Sequence, residues 1–265
     1  MKNKNIVFII MSGLLLVMMG IGNITTAHGE QALKFSCSAQ LYDILQPRIL
    51  DTFTQNTNIG LELSVVSSEA ALYRLYNNVS DVAGTAERLH FSNTDFGYVE
   101  TPVCKAPIVV ITHRSTKTMN VTTDQLRDIF SGKTANWKEL GGDDHGIVVV
   151  VPDKGTAAYR NFSKLALKRF DIGYNIMTYR STMVVQVVEH VPGSISFVTK
   201  GSDARDANIK ILKVDGVAHT DRAYPYQQHF SLVTRGRLTG SIKTFVDYMT
   251  SEQTAGALRA NGIFP

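Results

Sequence analysis

The stretch that most narrows the fold of this chain is residues 122–137, TTDQLRDIFSGKTANW, which runs through KELGG into the apolar segment 147–151, IVVVV. Thr122 and Gln125 stand at capping-box spacing, so each side chain can meet the other residue's backbone amide and a helix opens there. Its apolar residues Leu126, Ile129 and Phe130 share one face. Gly132 supplies the left-handed residue that stops it. Trp137, the one tryptophan of the chain, closes the turn as an apolar plug. The β-branched run after Gly146 reads as a buried strand. A capped helix feeding a buried strand is common to α/β proteins, so this segment speaks for architecture before function.

The same alternation extends over most of the chain. Residues 33–37 read as a strand, 41–54 as a helical region kinked or restarted at Pro47, and 61–66 as a second strand. Ser67 or Ser68 caps a helix carrying Ala71, Leu72, Leu75 and Tyr76, with Glu69 in its first turn. Residues 81–84 form a third strand that runs into a loop bearing Thr85, Glu87 and Arg88. Two long extended stretches, 103–112 and 224–234, divide the pattern. The chain then finishes in helices over 241–249 and 251–261, with Gly262 as the stop.

The amino end carries Lys2 and Lys4, then a mostly apolar stretch over 6–21, then small or polar residues up to Ala27-His28-Gly29. That order is an export leader spanning 1–29, cleaved after Ala27 or Gly29, and it directs the chain to the periplasm. No later stretch is long and apolar enough to span a bilayer. Cys37 follows Lys34-Phe35-Ser36 and lacks the small-residue box of a lipoprotein, so no lipid anchor is expected. Losing the leader's two lysines lowers the formal charge from +4 to +2. Lys and Arg are not clustered, which argues against nucleic acid as partner. With 44% hydrophobic residues the chain has material for two modest cores.

Cys37 and Cys104 are the only cysteines. In an oxidising compartment they can form a bridge worth about 2–4 kcal/mol, or they can serve as two small buried hydrophobes. Sequence spacing does not choose between these arrangements.

The ordered words IFSGK, NWKELGG and VVVV resemble the middle of the phosphate-binding proteins that serve ABC importers. Further on, Val191-Pro192-Gly193-Ser194-Ile195-Ser196-Phe197 resembles that family's PG-x-IGY strand entry, with Ser196 and Phe197 for Gly and Tyr. Asp215-Gly216-Val217-Ala218-His219-Thr220 resembles its DGV-x-PT turn, and Gly262-Ile263-Phe264-Pro265 its GY-x-P ending. The resemblance covers most of the mature chain. It implies a two-lobed α/β clamshell of the type II periplasmic-binding-protein fold, each lobe a central mixed sheet flanked by helices, with two hinge crossovers. Lobe one is expected to comprise 31–107 and 229–265, and lobe two 108–228.

The ligand-bearing words depart from the family. Its members carry an arginine shortly after the IVVV strand, then a Ser-Gly-Thr loop opening a helix, so that guanidinium, hydroxyls and amides surround a tetrahedral anion. Here the stretch reads Val151-Pro152-Asp153-Lys154-Gly155-Thr156-Ala157-Ala158-Tyr159-Arg160, with no arginine at that place. Asp81-Val82-Ala83-Gly84-Thr85-Ala86 resembles the family's D-[IF]-G-A-S-[DS], and Ala86 stands where an acceptor aspartate or serine is usual. Loss of two charge-assisted contacts is expected to lower phosphate affinity by roughly two to four orders of magnitude.

The candidate ligand-binding residues are Ser38, Ser68, Thr85, Thr156, Lys154, Tyr159 and Arg160. Ser38, Ser68 and Thr156 stand at helix starts, where hydroxyl and amides can face an oxyanion, though a plain cap is the commoner use of such residues. Thr85 lies beyond a strand's carboxyl end, where open α/β sheets bind ligands. Lys154 or Arg160 can replace the missing cation. Tyr159 offers a hydroxyl or an aromatic wall, or simply packs in a core. Glu87 and Arg88 read as a surface pair.

No GxSxG, HExxH or Walker loop is present, and the seven histidines show no metal-ligand spacing. Neither catalysis nor a cofactor is expected. What the resemblance implies is a monomeric periplasmic receptor that delivers phosphate or a related oxyanion to an ABC permease. The alternative is a degenerate module acting in sensing or protein interaction.

Overall fold

The computed structural model describes residues 32–45, 48–87, 97–168, 171–179, 181–200 and 208–265. The leader, Pro47 and Arg88 lie outside the described residues. The first part of the chain alternates β1 (Leu33–Ser38), α1 (Ala39–Leu45), α2 (Arg48–Thr57), β2 (Leu61–Val66), α3 (Ser68–Tyr76) and β3 (Val82–Thr85). Then come the long β4 (Tyr98–His113), β5 (Asn120–Val121), α4 (Thr123–Phe130), a 3₁₀ turn over Trp137–Leu140, β6 (Val148–Pro152) and α5 (Ala157–Leu165). The chain ends with β7 (Ile176–Thr178), α6 (Ser181–His190), β8 (Ser194–Thr199), β9 (Ile209–Ile211), β10 (Lys213–Val214), β11 (Gln227–Arg235), α7 (Gly240–Met249) and α8 (Glu252–Ala260).

Among the described residues eight strands form one sheet path, β2-β1-β3-β11-β4-β8-β6-β7, and a ninth, β9, pairs with β4 off that path. β4 carries this path from one lobe to the other. Residues 98–107 pair antiparallel with β11, whereas from Ile108 onward the strand pairs with β8 and β9. Pro107 sits at the changeover. It has no amide hydrogen to give, and its carbonyl accepts from the Lys200 N–H at 2.9 Å. A one-residue bulge at Val103 adds a local bend just before that point.

Each lobe has its own core. Phe35, Phe53 and Phe245 meet in the first, with ring centroids 4.9 and 5.1 Å apart. Phe130, Phe162 and Phe197 meet in the second, Phe162 stacked on Phe197 at 4.0 Å. β4 serves both faces of the second sheet, because alternate side chains of a strand point to opposite sides. Ile108 and Val110 join the aromatic core, and Val109 and Ile111 join the valines of α6.

The segment over 122–151 forms as its pattern predicts. Thr122 and Gln125 make the reciprocal capping box, and Gly132 adopts φ +80° after α4. Trp137 is 2% exposed and donates its indole N–H to the Gly193 carbonyl at 2.8 Å. A side chain at Gly193 would strike the Gly146 carbonyl at 2.5 Å, and its φ is +75°, so the Pro-Gly corner admits only glycine.

Of the two arrangements left open for Cys37 and Cys104, the structure has the second, separate buried thiols. Cys37 lies on β1 and Cys104 on β4, with β3 and β11 between them. Three strand spacings amount to about 14 Å, twice the span a disulfide tolerates. Burial pushes both thiols up to about 12, with the charge of Asp43 adding to the effect at Cys37.

Candidate functional site

β1, β2 and β3 run parallel to one another, and so do β6, β7 and β8. The carboxyl ends of β1, β2, β6 and β7 border a cavity of about 500 Å³. That is where open α/β sheets place ligands, since helices begin there and their first amides lack intrahelical partners. Ser67 and Ser68 approach from the start of α3, and Gly155, Thr156 and Ala157 from the start of α5. Ala39, Gln40 and Asp43 of α1 complete one wall, and Val65 and Tyr179 stand at the mouth, 43% and 86% exposed.

The sequence candidates separate on inspection. Thr156 caps α5, accepting from the Tyr159 amide at 3.2 Å while its hydroxyl donates to the Asp153 carbonyl at 2.8 Å. Ser38 caps α1, accepting from the Leu41 amide at 3.3 Å, and it is Ala39 and Gln40 beyond it that line the cavity. Ser67 is the cap of α3. Ser68 is the first helical residue, and its hydroxyl accepts from the Ala86 amide at 3.0 Å. It therefore ties α3 to the loop after β3. Thr85 is fully buried and donates to the Glu87 carbonyl at 2.9 Å, and it does not line the cavity.

Tyr159 is 8% exposed in the second core, its ring 6.3 Å from Phe197. Burial raises its hydroxyl above the ordinary phenol range, and Asp171 adds to this. Lys154 faces a different cavity, about 520 Å³, which it shares with Tyr159, Lys164, Gln227 and His229. That space flanks the middle of α5 and not its amino end, so it lacks the converging helix starts.

Arg160 lies between the two cavities. Its Nε and Nη2 are 2.7 and 2.6 Å from Glu87 Oε1, and Nη1 is 3.5 Å from Glu69. Nη1 also donates to the Gly155 carbonyl at 2.8 Å. Next to it, the Asn161 side chain donates to the Ala86 carbonyl at 3.0 Å. Glu87 thus pairs with a residue 73 positions away, across the gap between the lobes; the expected partner Arg88 lies outside the described residues.

Sequence reasoning missed Asp43, Gln40, Val65 and Tyr179 as cavity residues. A signal existed for Asp43, since it follows Ala39 by four residues and must share its helix face. Tyr179 follows a three-residue strand that no apolar run announces. Among the described residues no group of three or more His, Cys, Asp or Glu is placed to hold a metal, and no helix is long and apolar enough to cross a membrane.

Two sheets joined through one long strand, with helix starts from both lobes around a cleft, define a two-lobed protein built to clasp a small solute. The chain belongs to the PBP superfamily, whose domain description matches residues 25–253. A phosphate-binding protein PstS of Bacillus subtilis (strain 168) is 24% identical over 271 residues, covering 95% of this chain and 90% of that protein. A structure described as a phosphate ABC transporter substrate-binding protein with bound phosphate, from Clostridium perfringens, superposes with TM-score 0.75. It is 23% identical and covers 88% of this chain and 98% of that one. An ABC-type phosphate transport receptor from Vibrio cholerae gives TM-score 0.72 at 19% identity, over 88% of this chain and 99% of that one.

Proposed function

We propose that this chain is a periplasmic solute-binding protein that captures phosphate or a related small oxyanion and delivers it to an ABC permease. The observation that carries this reading is the cavity into which α3 and α5 open from opposite lobes. An oxyanion seated there meets backbone N–H groups and the positive ends of two helix dipoles. Contacts to both lobes would favour closure, since a ligand shifts a conformational equilibrium by its differential affinity for the two states. Relatives that match over nearly their whole length, one named a phosphate-binding protein and one an ABC-type phosphate transport receptor, support this reading over a sensory or interaction module.

The same proposal places residues 31–107 and 229–265 in lobe one and 108–228 in lobe two. It has the leader within 1–29 removed during export, by cleavage after Ala27 or Gly29, and the mature chain acting as a monomer. Mass spectrometry of a periplasmic extract is expected to find an amino terminus at His28 or Glu30.

Calorimetry with phosphate and sulfate tests the site. Binding is expected to weaken at least tenfold in Thr156→Ala, beyond the roughly 1 kcal/mol of stability that loss of a cap removes. Tight phosphate binding that survives both Thr156→Ala and Ser67→Ala would place the site elsewhere.

A further inference from the structure

Ala86 directly follows β3 and is 1% exposed, so its backbone groups must find partners within the protein. Its N–H donates to Ser68 Oγ at 3.0 Å, and its carbonyl accepts from Asn161 Nδ2, also at 3.0 Å. Ser68 is the first residue of α3 and lines the cavity into which α3 and α5 open. Asn161 belongs to α5, five residues beyond its cap Thr156, which lines the same cavity. One buried residue is therefore gripped from both sides, by the two helices whose amino ends face the solute.

Asn161 itself lines only the other cavity, about 7–8 Å along α5 from the cap. Any effect it has on a solute must pass through Ala86. The two residues are 75 positions apart, and their hydrogen bond exists only while α3 and α5 keep this spacing. Its net worth therefore counts toward this arrangement and against any wider one. Arg160 ties the same flank of α5 to Glu87, but it is charged and also lines the solute cavity. Asn161 is neutral and outside that cavity, so it isolates spacing from charge.

We propose that Asn161 is a positioning residue for the solute: by holding the Ala86 carbonyl it fixes the distance between the starts of α3 and α5, and so the fit of an oxyanion to the amides of both. This role rests on the oxyanion-receptor reading of the same cavity.

The test combines calorimetry with inorganic phosphate and small-angle X-ray scattering on the mature chain. Asn161→Ala is expected to weaken phosphate binding about two- to tenfold, the worth of one hydrogen bond. The radius of gyration of the solute-free variant is expected to exceed that of the wild type, and the two are expected to converge at saturating phosphate. Asn161→Leu, which nearly keeps the volume but cannot donate, is expected to behave as the alanine variant does, with circular dichroism confirming both folds. Wild-type affinity in either variant would overturn the positioning role and leave the oxyanion receptor standing. Weaker binding with unchanged scattering would assign the loss to something other than spacing, and overturn it too. A wild-type chain that binds neither phosphate nor sulfate would remove the receptor reading itself, and the role of Asn161 with it.

Discussion

At the residue scale, what was legible depended on how local each residue's partners are. Thr122, Gln125, Gly132 and Thr156 act on amides within a few positions, so their roles follow from spacing. Cys37 and Cys104 do not, because whether they meet depends on which strands come between them. Their thiols are 0% and 5% exposed and held up to about 12, a combination that suppresses the reactive thiolate. Ellman's reagent is therefore expected to find no thiol in the native protein and two after denaturation in guanidinium. Rapid native labelling of either cysteine would contradict the packing around β1 and β4. Ser68 was hidden for a similar reason. Whether a serine caps its helix or turns inward to a loop depends on the helix starting one residue earlier or later, which sequence alone cannot place.

Elements add constraints that no single residue shows. α5 is expected from its Gly-Thr start and amphipathic spacing, but its side toward the first lobe is not, since Glu69, Ala86 and Glu87 reach it only after both sheets have formed. Arg160 and Glu87 are about two-thirds to three-quarters buried, with side-chain exposures of 32% and 27%, and they share two contacts. A double-mutant cycle with Arg160→Gln and Glu87→Gln is expected to give a coupling energy of about 1 kcal/mol, near the upper end for partly exposed pairs. A coupling near zero would mean that the bridge seen between the lobes is not populated in solution. The cycle also separates ligand effects from stability, because Glu87 lines only the cavity that Lys154 faces.

Across the whole molecule, pH should act through buried histidine. His113 closes β4 at 9% exposure, and its Nδ1 accepts the Ser115 amide at 3.2 Å, which fixes the neutral ring. Burial chiefly, then Arg114 and His190, lowers its pKa below the ordinary value of about 6.5. His219 is lowered too, by burial and then Lys200. With folded pKa values below the unfolded one, the unfolded chain binds more protons near pH 6. The stabilisation is complete above that range and is lost as pH falls through it. The melting temperature followed by circular dichroism is expected to drop between pH 7.5 and 5.5, and less steeply in His113→Gln. An identical slope in the variant would assign the effect elsewhere.

The strand order β1-β3-β11-β4 also sets a timetable for assembly. β3 ends at residue 85, yet the neighbour that joins it to β4 begins only at residue 227. The sheet containing β6, β7 and β8 closes within one continuous stretch, whereas the other remains unzipped until nearly the whole chain is available. Pairings this distant in sequence form slowly. Trp137 lies in the early-closing half and is the chain's single indole, so its fluorescence reports that half alone. On refolding, its signal is expected to recover ahead of far-ultraviolet circular dichroism. During that interval the edges of β3 and β4 stand open to other chains, which makes the late arrival of β11 the step most exposed to aggregation.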